Sequence, residues 1–91
     1  MELHASQVDD SLIVRRFADE VRVEMVRKRV TATDLAHELK VSAHTIGSRL
    51  SGRRPFNAIE MIRVARLLGI EVTVLWERAA AAPATVEAVA S

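Results

Sequence analysis

Between Thr31 and Gly69 the residues that start helices and the residues that stop them alternate too closely for a strand or a long helix to fit. Thr31 and Thr33 stand where a helix should begin, followed by Asp34, whose charge suits the positive helix end. Val41 and Ser42 break that helix, and Ser42 can cap the next one by accepting an unpaired first-turn N–H. Gly52 ends this second helix, and Arg53-Arg54-Pro55 leaves it extended, because the residue before proline avoids the α region. Asn57-Ala58-Ile59-Glu60 spaces a capping side chain three residues before a glutamate, a capping-box variant, and Gly69 closes the helix that it opens. Three short helices follow, with apolar stripes of Leu35, Ala36 and Leu39, of Ile46 and Leu50, and of Ile59, Ile62, Ala65, Leu67 and Leu68. None is long enough to stand alone, so they must pack together.

The flanks read as helices too. Ser11 can cap a first helix running to about Lys28, with Leu12, Ile13, Phe17, Val21 and Met25 as its core stripe and Arg15, Arg16, Arg22 and Glu24 on a solvated face. Ile70–Trp76 alternates like a strand, yet Val72, Leu75, Trp76 and Ala79 share a helical face and the Ala79–Ala82 run favours helix. With three glycines, two prolines and three aromatics in 91 residues, a sandwich or barrel is disfavoured. The expected fold is all-α: a flexible segment 1–10, one compact domain 11–80, and a disordered Ala-rich tail 81–91. The absence of cysteine excludes a disulfide framework and a thiolate metal site. No apolar run reaches the roughly 20 residues of a membrane span, and no signal-peptide pattern opens the chain, so a cytoplasmic location is expected.

Net charge is +1, but its distribution is uneven. From Arg27 to Ile59 seven Lys/Arg face two acids, and from Leu39 to Ile59 there is no acid beside Lys40, Arg49, Arg53 and Arg54. A basic centre on a near-neutral chain fits a nucleic-acid partner. A solvated arginine-rich loop would carry the same charge. Enzymatic signals are missing: no serine has a base placed by pattern, no glycine-rich phosphate loop exists, and Asp34 and Glu38 are an ordinary exposed i, i+4 pair. His37 and His44 span the turn without further ligands, so neither a metal nor a cofactor is expected.

Residues 31–55 read as helix, tight turn, helix, with the helix-turn-helix at about 32–51. At about 100° per residue, Ile46 and Leu50 define the buried side of the second helix. The outward side then carries His44 and Ser48, flanked by Thr45 and Ser51, with Arg49 at the margin. These side chains are modest in size and able to hydrogen-bond base edges in a major groove. Gly47 inside a helix costs about 1 kcal/mol against alanine, which close approach to a partner helix or to DNA would explain, as would drift at an undemanding position.

Thr31-Ala32-Thr33-Asp34-Leu35-Ala36, Val41-Ser42, Ile46, Gly52, Pro55 and Val64-Ala65-Arg66-Leu67-Leu68-Gly69-Ile70 together resemble the phage repressor/Cro-type helix-turn-helix family over roughly residues 12–78. The resemblance implies a five-helix, lambda-repressor-like domain that binds palindromic double-stranded DNA as a homodimer and regulates transcription. It places Ala43, His44, Thr45, Ser48 and Arg49 toward bases, and Thr33, Ser42, Ser51, Arg53, Arg54 and Asn57 toward phosphates. Three positions depart from the family: Ala32 and Ala43 stand where glutamine is common, and Lys40 where the turn has glycine. Val72, Leu75 and Trp76 are the candidate dimer contacts, Trp76 equally a seal for the core. Two alternatives share the fold: an operon-autoregulating antitoxin, and a protein-interaction module that does not bind DNA.

Overall fold

The computed structural model describes the backbone of residues 10–90 and the side chains of residues 10–81. Five helices follow in order: α1 (Asp10–Lys28), α2 (Ala32–Leu39), α3 (Ala43–Leu50), α4 (Ala58–Leu68) and α5 (Val72–Ala90). There is no strand among the described residues, so the ambiguous segment from Ile70 resolves as the start of a helix. No helix among them is long and apolar enough to cross a membrane.

The caps act as their spacing predicts. Thr31 and Asp34 form a reciprocal capping box on α2, Ser42 Oγ accepts from the Thr45 amide on α3, and Asn57 with Glu60 forms a second box on α4. Four helices end alike, with an amide just beyond the helix, the second or, after α3, the third, bonding back five residues: Val30 to Met25 (2.9 Å), Val41 to Ala36 (3.0 Å), Arg53 to Ser48 (3.2 Å) and Ile70 to Ala65 (3.0 Å). The residue preceding each of these amides is left-handed: Arg29, Lys40, Gly52 and Gly69, at φ of 58°, 59°, 81° and 69°. Two of the four are not glycine.

The core lies where the five helices converge. Phe17 and Val21 of α1, Leu35 of α2, Ile46 of α3, Val64 and Leu68 of α4 and Leu75 of α5 are almost fully buried. Phe17 is its centre, edge-on to Phe56 at 5.9 Å and tilted against Trp76 at 4.5 Å between ring centroids.

Several expectations need correction. Helix α1 already includes Asp10, an acid suited to its first turn, so Ser11 lies inside the helix rather than capping it. The flexibility expected before it concerns residues 1–9, which lie outside the described residues. Helix α5 continues to Ala90, where a disordered tail was expected from residue 81. Alanine has the highest helix propensity, and Pro83 removes one backbone donor without ending the helix. Ile59 and Ile62, expected in the core, are exposed, because α4 turns Glu60 and Val64 inward instead, and Leu12, in the first turn of α1, is exposed as well. Glu24, expected on a solvated face, is buried: its Oε2 accepts from Arg78 of α5 at 2.7 Å and from Arg27 at 2.9 Å. The Arg78 hydrogen bond outweighs the cost of burial and holds the Glu24 carboxyl below the usual range.

Candidate nucleic-acid interface

Three elements converge on the face built by α2 and α3. The first is the turn between them. Lys40 takes the left-handed conformation, its amide bonds back to α2, and Ser42 at once restarts the chain as α3. The turn thus sets the angle between two eight-residue helices with few free dihedrals.

The second element is α1, whose cations seal the far ends of its neighbours. Arg22 donates to the carbonyl of Leu50, the last residue of α3. Lys28 Nζ donates to the Leu68 carbonyl at the end of α4, at 2.7 Å. A cation on the last carbonyls of a helix satisfies groups the helix itself cannot. The orientation of α3 is therefore held at its start by Ser42 and at its end by Arg22.

The third element is the loop from Ser51 to Asn57. Ser48 O accepts from the amides of Arg53 (3.2 Å) and Arg54 (3.3 Å) and from Ser51 Oγ (3.0 Å), which folds the loop back along α3. Arg49 Nε donates to Glu60 Oε1 at 2.9 Å, tying α3 to the first turn of α4. Burial pushes the Glu60 carboxyl up, but the hydrogen bonds from Arg49 and the Asn57 amide more than offset it and leave it below the usual range.

This geometry sorts the expected base-facing residues. Ala43 and His44 are exposed at the start of α3, and Thr45 is half-buried with its hydroxyl within 3.1 Å of Ser42 Oγ. Ser48 does not project outward: it is 8% exposed, covered by the loop that its own carbonyl anchors. Arg49 is committed to Glu60, its side chain 19% exposed, because α4 begins close enough to offer a carboxylate. Gly47 takes the outward place instead, and a Cβ built on it would meet nothing within 4 Å. Close approach to a helix of the same chain therefore does not explain this glycine.

Of the expected phosphate-facing residues, Thr33, Ser42, Ser51, Arg53, Arg54 and Asn57 are all exposed. The oxygens of Ser42, Ser51 and Asn57 already serve caps and the loop. Neither Arg53 nor Arg54 has an ion pair among the described residues, since the nearest acid in sequence, Glu60, belongs to Arg49. Of the dimer candidates, Leu75 is fully buried in the chain's own core and Trp76 leans on Phe17, so α5 offers part of Trp76 and of Val72.

The Arg49–Glu60 tie and the Arg22 cap were not legible as such. Each joins residues far apart in sequence, and no local spacing announces them. No group of three or more His, Asp or Glu side chains able to hold a metal exists among the described residues. No family model, no curated protein and no solved structure matches the chain.

Proposed function

We propose that the chain is a sequence-specific DNA-binding regulator of the phage repressor/Cro type. In this reading its helices form a lambda-repressor-like helix-turn-helix domain, and it occludes a promoter as a dimer on a palindromic site. The observation that carries it is the exposed start of α3, with Ala43, His44 and Gly47 outward, beside the unpaired Arg53 and Arg54 in an acid-free stretch. Small outward side chains let a helix approach the floor of a major groove closely, and two arginines alongside can neutralise the flanking backbone.

Retardation of a pool of genomic DNA fragments, repeated across salt concentrations, tests the proposal. Log K should fall by about 0.9 per log salt for each phosphate neutralised, and Arg54→Ala should flatten that slope by about one. Failure to retard any fragment at low salt refutes it.

A second reading, a protein-interaction module on the same fold, draws on an apolar depression of about 460 Å³ between α1, α2 and the end of α3. Val26 lies in it 79% exposed, beside Met25, Val30 and Leu50. Absence of retardation at every salt concentration, with the chain folded, favours this reading.

A further inference from the structure

We infer that Ser48, Arg53 and Arg54, with His44 at the rim, form a pocket for one phosphate group, so that the C-terminal half of α3 grips a backbone anion instead of reading a base. For DNA as the source of that phosphate, the inference rests on the function proposed above.

The four residues line a cavity of about 330 Å³ between α3 and the loop that follows it. Ser48 is 8% exposed, and its hydroxyl makes no hydrogen bond within the described structure. A buried hydroxyl without a partner is a cost to folding that alanine would avoid, with better helix propensity besides. Ser48 itself lines a cavity bounded by two arginines that have no acid of their own among the described residues. The loop is no accident of packing at this point, because the Ser48 carbonyl holds the amides of both arginines. One residue thus supplies a hydroxyl to the cavity and positions the two cations that line it. An imidazole, a hydroxyl and two guanidinium groups can all donate to one tetrahedral oxyanion, and the two guanidinium groups supply the positive charge that such an ion favours.

The test uses the full chain and begins with inorganic phosphate at constant ionic strength, followed by NMR. Saturable shifts confined to Ser48, Arg53, Arg54 and His44 are expected, lost in Ser48→Ala and weakened in the exposed-site variant Arg54→Gln. Ser48→Ala should also melt at a higher temperature than the parent, the opposite of what a structural role would give. On DNA it should weaken a random duplex and a duplex enriched by selection by the same factor, about three- to tenfold. Loss confined to the enriched duplex would make Ser48 a base reader and overturn the inference, as would phosphate shifts absent from the pocket. If no duplex is bound while the phosphate shifts persist, the DNA reading falls and the pocket stands with free phosphate as its ligand.

Discussion

Lys40 sits between α2 and α3 at φ 59°, a conformation that costs an L-residue about 1 kcal/mol and glycine almost nothing. Lys40→Gly should therefore stabilise the free domain by about 0.5 kcal/mol once the added entropy of the unfolded chain is deducted, read as a raised melting temperature. A lowered melting temperature would mean that the Lys40 stem contributes packing that outweighs its backbone strain. Gly52 is the opposite case. At φ 81°, a Cβ there would lie 2.9 Å from Arg15 Cγ and 3.0 Å from Arg15 Cα, and the second of these is backbone that cannot swing aside. Gly52→Ala should destabilise by about 2–3 kcal/mol, measured by denaturant unfolding. A loss under 1 kcal/mol would show that α1 moves freely over the loop. The two glycine stops were legible in the sequence, and Lys40 was legible through the resemblance. Arg29 was not, although Val30 after it, apolar and packed on the core, repeats the pattern of Val41 after Lys40 and Ile70 after Gly69.

Two buried carboxylates join whole elements, Glu24 linking α1 to α5 and Glu60 linking α4 to α3. Both have folded-state pKa values below the ordinary 4.5, so each contributes stability that is fully present above that pH and is lost as pH falls through the depressed value. Thermal melts should therefore show stability falling below about pH 4.5. Arg49→Ala leaves Glu60 buried with only its cap partner and should cost about 1.5–3 kcal/mol at pH 7, the range for a hydrogen bond between charged groups. The gap between parent and variant should narrow on acidification, since the variant no longer has that ionisation to lose. A gap that stays constant from pH 7 to pH 3 would show that Arg49 acts through its aliphatic stem alone. Arg27 and Arg78 are well exposed, so Glu24→Gln should cost less than Arg49→Ala at pH 7, with the same narrowing at low pH.

For the molecule as a whole, one short α3 covers too few base pairs for useful selectivity, so the proposed regulator should occupy half-sites about 34 Å apart as two copies. Sedimentation on a duplex carrying both half-sites should give two chains per duplex, and a duplex with one half-site should bind far more weakly. One chain per duplex at saturation would remove the dimer. Because Trp76 packs on Phe17, Trp76→Ala should lower the melting temperature before it affects any subunit contact. Its effect on DNA binding is therefore interpretable only at temperatures where the variant is fully folded.

Helix class, helix boundaries from Thr31 to Gly69 and the exposed basic loop were decided locally, by caps and stops within four residues of where they act. The apolar stripes of α1, α2 and α3 marked their inward faces in advance, whereas tertiary structure decided which face of α4 turned inward. The stripe of Ile59 and Ile62 was a sound amphipathic pattern, yet α4 rolled to bring Glu60 to Arg49, and both isoleucines were left in solvent. The same roll took Arg49 away from any partner outside the chain, and the loop anchored on the Ser48 carbonyl took Ser48 from the surface into a pocket. Periodicity reports that a face is apolar. Which face wins is set by charges and carbonyls brought together from distant positions, and their pairing exists only once the helices have packed.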